Sequence, residues 1–348
     1  MSRALAKAVR DKTYRPGPSR LCPIPKRPGS IETRTLTIQT VPDRIVAGDV
    51  RLIIQPVLDP MLAPFSFARP GRGAQHALAT VLALAKRRRH WVWIVEDIKA
   101  FYDQIIHSRL MRALSSWLPD AGNVVEFVNL ISHTGKKRGV RQGSSLSPLL
   151  AHIFRDHHIT RPWQHRLSQL PLFSYLDDLL VPCESVDQAH MAYDTLSQLV
   201  TSAGLKLKGN AESNICRVAE GQEVIYLGYH LQCQGRQLRF TIAERAWCSL
   251  EDGFIEAHEK PCPPVAADAA VRGWLEYLGP CYRDETREAV LDRVYTTAAA
   301  AGFDELPSRE TLMNAWFAAY GRWRRLRKSE AEKLDHRLIL NAATADAR

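Results

Sequence analysis

The sequence predicts an α+β fold, a small sheet flanked by helices. Three observations carry that expectation. WVWIV at 91–95 is a short buried-strand run that ends on Glu96-Asp97, and FSYLDDLLV at 173–181 holds two apolar strands around an acidic turn. Helical apolar spacing fills most of the chain between and after them.

Residues 1–40 are basic and broken by Pro16, Pro18, Pro23, Pro25, Pro28 and Gly29, which excludes long helices and predicts an arm leading into a small sheet. From Asp43 to about Arg89 the spacing is helical, with interruptions over Pro56–Pro64 and at ARPGRG, 68–73. This stretch closes with HALATVLALAKRRR, whose basic end complements a helix C-terminus. The run 91–95 is apolar on both faces, as in a central strand. A helix is expected over roughly 108–132. GKKRGVRQGSSLSP at 135–148 then reads as a Gly/Ser-rich loop opening into a helix with Pro148 in its first turns. After the acidic hairpin, 185–204 has helical spacing and EVIYLGYHL at 223–231 returns to strand. Residues 240–348 read as mainly helical, broken at PCPPV (261–265), with a basic amphipathic stretch, WFAAYGRWRRLRKSEAEKL, from Trp316.

A chain of 348 residues, 45% hydrophobic and 24% charged, has the composition of an ordinary globular protein with room for two or three packed units. No apolar run approaches the roughly 20 residues of a membrane span. The basic N-terminus lacks the apolar centre of a secretory signal, so a cytoplasmic protein without membrane association is expected. Seven scattered cysteines without a CxxC pair read as reduced fillers. The formal charge of +10 favours a polyanionic partner, nucleic acid first, because neutralised phosphates release counterions.

Adjacent aspartates in a turn are commonly turn-formers. Asp97 at a strand end and Asp177-Asp178 in a hairpin mean more together, since such carboxylates repel and resist ionising unless cations sit between them. Hard oxygen donors suit Mg²⁺, with Mn²⁺ as a substitute. Two such ions about 3.5–4 Å apart support in-line phosphoryl transfer, the chemistry of a polymerase. No nucleophilic Ser or Cys arrangement competes, and the 12 histidines, His157-His158 included, show no ligand spacing.

VEDIKAFYDQI, RGVRQGSSLSPLLAHIF, FSYLDDLLV and VIYLGYHL, in that order, resemble the palm motifs of bacterial reverse transcriptases, the kin of group II intron and retron enzymes. Upstream, IPKRPGSIETRTLTI, VPDRIV and FARPGRG resemble their fingers motifs, and VRGWLEYLGPCY resembles a thumb helix of the group II kind. The resemblance implies a right-hand polymerase architecture. An N-terminal arm and fingers would span 1–90, the palm with part of the fingers 91–235, and a helical thumb with RNA-binding residues 236–348.

It also implies roles for particular residues. Asp97 and Asp177 would ligate both metals with the carbonyl of Ile98, and Asp178 would support the second carboxylate. Lys26 and Arg34 would grip the incoming triphosphate, Gln142-Gly143 would pack against the nucleotide and template base, and Tyr102 would lie under the sugar 2′ position. Tyr226-Leu227-Gly228 would form the primer grip, although a plain buried strand explains the same letters. Arg69, Arg72, Arg322, Arg324, Arg325, Arg327 and Lys328 would meet nucleic acid. One position departs from the family pattern: Glu212 stands where a lysine is usual, with Lys206 or Lys208 as substitutes.

The implied function is RNA-directed DNA synthesis from dNTPs on a dedicated non-coding RNA template, in antiphage defence or a retron-like system. A protein partner or a homo-oligomer is compatible with it. Template-free or protein-primed synthesis, or a maturase-like RNA-binding module, are the alternatives.

Overall fold

A computed structural model of the protein describes residues 3–25, 33–133, 135–234 and 237–345. The N-terminal arm contains a short helix, α1 (Arg3–Arg10), and then a hairpin of β1 (Arg20–Pro25) and β2 (Thr33–Ile38), antiparallel with Cys22 opposite Leu36. Next come α2 (Val41–Leu58), the two-residue strand β3 (Ser66–Phe67), α3 (Ala74–Arg88) and β4 (Val92–Asp97). Four helices follow: α4 (Phe101–Gln104), α5 (His107–Trp117), α6 (Gly122–Ser132) and α7 (Ser147–Arg155), which passes through a π-helical turn into α8 (Arg161–Arg166).

The acidic hairpin is β5 (Phe173–Tyr175) and β6 (Asp178–Cys183). After it lie α9 (Val186–Ser202), α10 (Ala211–Asn214) and the strands β7 (Ile215–Arg217), β8 (Val224–Tyr226), β9 (Tyr229–Gln234) and β10 (Gln237–Thr241). The chain then runs through α11 (Glu244–His258), α12 (Pro263–Tyr277), α13 (Arg287–Ala300) and α14 (Arg309–Ala345).

Five strands form a sheet in the order β3-β5-β6-β4-β7, with β3 parallel to β5, β5 antiparallel to β6 and β4 antiparallel to β7. A second sheet has the order β10-β9-β8. The chain divides into two compact units, each discontinuous in sequence: Met1–Arg69, Glu96–Val181 and Asp187–Asn214 in the first, Pro70–Val95, Pro182–Val186 and Ile215–Arg348 in the second. In the first, Leu110 and Leu114 of α5 and Leu150, Ile153 and Phe154 of α7 are fully buried. In the second, α14 packs on α3 and α12, burying Trp316 and Trp323.

Four features differ from the sequence expectation. The interruption placed over Pro56–Pro64 begins later: α2 continues through Pro56 to Leu58, at the cost of the one bond that a Pro56 N–H would have given to the Leu52 carbonyl. The helix expected over 108–132 is two, α5 and α6, separated by a turn that includes Pro119. β3 is too short to leave a periodic signal and exists through its pairing with β5. The segment 223–231 is a tight hairpin, not one strand, with Tyr226 paired to Tyr229 across Leu227-Gly228. No helix among the described residues is long and apolar enough to cross a membrane.

Candidate active site

The candidate site lies wholly in the first unit, where the end of β4 meets the β5–β6 turn. Tyr175 and Asp178 form the last pair of the hairpin, so Leu176-Asp177 is a two-residue turn, and Leu176 takes the left-handed φ of 55° that such a turn needs at its first position. That strained residue is held from beneath. Arg155, fully buried on α7, donates to the Leu176 carbonyl (2.8 Å) and to Ser66 Oγ (2.6 Å). His152 Nε2 lies 3.1 Å from the Ala68 carbonyl, which makes it the donor and leaves Nδ1 to accept from Arg155 at 3.0 Å. Burial and the Arg155 charge press His152 down to about 3, so it stays neutral.

The Ile98 amide donates to the Asp177 carbonyl (3.1 Å), which joins the strand end to the acidic turn. On its other side the strand bridges to Leu207, with Lys99 N–H to the Lys206 carbonyl and Lys208 N–H to the Asp97 carbonyl, both 2.9 Å. An extended residue points its N–H and C=O the same way, so the Ile98 carbonyl also faces the acidic turn.

Asp97 and Asp177 are brought together. Burial and the neighbouring Asp177 charge raise the Asp97 carboxyl above its ordinary value, against the opposing pull of Lys208. Burial likewise raises Asp177, opposed by its own backbone N–H, Lys208 and Arg155. Asp178, one residue into β6, opposes Tyr175 and raises that phenol after burial has done so. The donors fit a hard dication: two carboxylates and a main-chain carbonyl, leaving positions for water and phosphate as Mg²⁺ prefers. Among the described residues no group of three or more His, Cys, Asp or Glu could hold a metal.

Glu96, buried at 4% exposure, is a fixed point behind the site. Its Oε1 accepts from Asp97 N (2.9 Å) and Gly209 N (3.1 Å), its Oε2 from the Tyr193 hydroxyl (2.8 Å) and Asn214 Nδ2 (2.7 Å). Four donors satisfy the carboxylate and tie the 206–214 loop to the strand end. Glu212 itself is exposed on α10, whereas the Lys208 ammonium is 3.8 Å from Asp97 Oδ2. Lys208, not Lys206, is therefore the lysine that meets the site. Its side chain is 69% exposed, so solvent screens the pair.

The other candidates are distributed as follows. Tyr102 on α4 is half-buried, and burial, then the Asp177 charge, raise its phenol to about 12. Gln142 donates from Nε2 to Asp103 Oδ1 (3.0 Å), and its carbonyl accepts from Thr37 N of β2 (2.7 Å). Gly143 has φ of 108°, and a Cβ there would press on the Thr37 carbonyl at 3.2 Å. Arg34 is on β2, paired opposite Ile24; its side chain and all of Lys26 lie outside the described residues.

Arg69 folds back on its own unit, donating to the carbonyls of Ser66 (3.0 Å) and Asp59 (2.5 Å), an arrangement that orders the loop after α2. In the second unit, Arg72 is half-buried before α3. Arg322 pairs with Glu276, while Arg324, Arg325, Arg327 and Lys328 are exposed on α14. Tyr226 is buried, and Leu227-Gly228 is the turn of the β8–β9 hairpin.

Sequence reasoning missed Arg155 and Glu96 as organisers of the site. An arginine ending the apolar run LLAHIF, and an acid beside Asp97 on a buried strand, were the available signals.

The α+β sheet with its helical surround has the architecture of a right-hand polymerase fold, and solved structures agree in fold. Telomerase from Candida tropicalis, alone, matches with a TM-score of 0.51 and 11% identity over 88% of this chain and 66% of that one. The same telomerase with a fragment of telomeric RNA matches at 0.50 and 11% identity over 93% and 66%. More narrowly, residues 24–231 match the family described as reverse transcriptase (RNA-dependent DNA polymerase), and the chain belongs to that family. The group II intron-encoded protein LtrA of Lactococcus lactis subsp. cremoris is 30% identical over 161 residues, 43% of this chain and 26% of LtrA. An uncharacterized 91 kDa protein in the cob intron of Schizosaccharomyces pombe is 33% identical over 134 residues, 35% of this chain and 16% of that protein. The matches thus span about a quarter or less of these relatives' length.

Proposed function

We propose that the protein is an RNA-directed DNA polymerase that extends a primer with dNTPs by two-metal nucleotidyl transfer. The observation that carries this is the meeting of Asp97 and Asp177 beside the Ile98 carbonyl, a crowded oxygen site that a dication relieves. Two bound Mg²⁺ ions would supply the Lewis acidity that activates the primer hydroxyl and stabilises the departing pyrophosphate. The chain's own residues would do the rest. Asp97, Asp177 and the Ile98 carbonyl hold the charge, Arg155 keeps the turn in place, and the Gln142-Gly143 loop, bonded to β2, lines the nucleotide. Lys26 and Arg34 meet the triphosphate, Tyr226–Gly228 the primer end, and Tyr102 the sugar. Residues 1–90 act as arm and fingers, 91–235 as palm, and 236–348 as thumb. Extension of a primer on a defined RNA with dNTPs and Mg²⁺ tests the activity; extension that ignores the template sequence would favour the template-free alternative.

The setting, a dedicated non-coding RNA in a defence or retron-like system, rests on the motif resemblance. Sequencing the nucleic acid that copurifies with the protein reads template, product and primer together.

The exposed cations of α14 are assigned to nucleic-acid phosphates. With Arg322 engaged by Glu276, the test uses Arg324→Ala, Arg325→Ala and Arg327→Ala together. RNA binding is expected to weaken and its log–log salt slope to flatten by about 0.7–0.9 per lost phosphate contact. A slope equal to the wild type's would mark a solvated helix face.

A further inference from the structure

The turn of the hairpin assigned above to the primer is clamped by a side chain of its own unit. Its turn residues, Leu227 and Gly228, both have positive φ, 51° and 79°, the pattern of a type I′ turn, which leucine adopts only under strain. Tyr277, the last residue of α12, donates its hydroxyl to the Leu227 carbonyl at 2.6 Å. In return the Tyr229 hydroxyl donates to the Tyr277 carbonyl at 2.8 Å, and the two rings stack with centroids 4.6 Å apart and planes 19° from parallel. Gln75 of α3 braces the same helix end, its amide lying 3.2 and 3.3 Å from the carbonyls of Glu276 and Tyr277. A Cβ on Gly228 would overlap the Tyr277 hydroxyl while standing 3.6 Å from the ring carbon that bears it.

We infer that Tyr277 is the positioning residue of the primer grip: its hydroxyl fixes the strained Leu227-Gly228 turn at the end of α12 so that the turn can hold the primer strand. This rests on the assignment of Tyr226–Gly228 to the primer. The hydroxyl also dictates glycine at 228, because the space a side chain would need is filled by the clamp. A purely structural tyrosine would serve through its ring, which packs on Tyr229. A positioning tyrosine serves through the oxygen.

Tyr277→Phe separates the two, since it keeps the ring and removes only the hydroxyl. With a trap for released enzyme, primer dissociation is expected to rise about three- to tenfold, the range that losing one net hydrogen bond produces, and products to shorten accordingly. Incorporation of the first dNTP by preformed complex should fall by less than about twofold, with the melting temperature within ~4 °C of wild type. Unchanged primer release, or equal losses in release and incorporation, overturns the inference.

Gly228→Ala provides an independent arm. It should release primer faster still, and adding Tyr277→Phe should restore part of the loss, because the overlapping atom is gone while the backbone strain remains. Losses that simply add in the double variant overturn the clamp. A photocrosslinker at Ile225, 60% exposed on β8, separates failure of the underlying assignment: absence of any crosslink to the primer sinks the grip itself, and the inference with it. A crosslink combined with normal release in Tyr277→Phe sinks the inference alone.

Discussion

Asp177→Asn is expected to cut nucleotide incorporation by at least about a thousandfold, while making the metal-free protein more stable than wild type. Both outcomes follow from crowding. Burial and the neighbouring charge raise Asp97, and burial raises Asp177, so each carboxyl binds its proton more tightly folded than unfolded. Stability from such a group falls as pH rises from the ordinary carboxylate value through the raised one, and above both the whole penalty is present. Asparagine removes it at neutral pH and also relieves Asp97.

Thermal melts in chelator should therefore place the variant above wild type, with the gap closing as pH falls below the ordinary carboxylate range. Adding Mg²⁺ should raise the wild-type melting temperature and leave the variant's in place. Asp177→Ala with Asp178→Ala should likewise lose primer extension and stay folded. A wild-type rate in either variant, or a chelated Asp177→Asn that melts lower, contradicts the carboxylate assignment.

Replacing Tyr102 by alanine or valine should raise ribonucleotide incorporation relative to deoxyribonucleotide by at least about tenfold. Tyr102 is the second residue of α4, five residues beyond Asp97, half-buried and close enough to Asp177 to feel its charge. Its carbonyl accepts from Val140 N at 2.9 Å, which fixes it beside the Gln142 loop, and its edge meets Phe101 with centroids 5.9 Å apart. A 2′-hydroxyl forced against a filled position costs about 1–3 kcal/mol, and that is the discrimination the ring would supply. Single-turnover incorporation of matched dNTP and rNTP decides the matter. Equal falls for both sugars would make Tyr102 a core residue, with sugar choice set elsewhere.

The elements nearest the chemistry were legible because their signals are local. WVWIV predicted β4 as a run apolar on both faces and FSYLDDLLV the acidic hairpin as two apolar strands around a turn, and Pro148 sits in the first turn of α7 as its position after a Gly/Ser loop suggests. The two aspartates differ in place: Asp177 lies in the turn, where its charge reaches Asp97, and Asp178 opens β6 opposite Tyr175, a distinction that only the strand pairing reveals. Leu227-Gly228 read as strand because its neighbours alternate, and only the pairing of Tyr226 with Tyr229 makes it a turn. Arg155 was unreadable for a different reason. Its burial depends on a carbonyl of Leu176 twenty-one residues on and a hydroxyl of Ser66 eighty-nine residues back, partners that no window contains. Lys208 could be chosen over Lys206 only after the bridge between Ile98 and Leu207 set which lysine follows the carbonyl of Asp97.

The bond from Thr37 to the Gln142 carbonyl, with Gly143 lying against the Thr37 carbonyl, has a kinematic consequence. β2 and the loop at 142–143 form one rigid piece, because a shift of either by more than a fraction of an ångström breaks the bond or drives backbone into backbone. A hinge between them would have to break that bond. A closing motion on an incoming nucleotide that keeps this contact would carry the strand that bears Arg34 and the loop that bears Gln142 together. If strand and loop meet the nucleotide as proposed, base fit and distance from Asp97 become separate degrees of freedom.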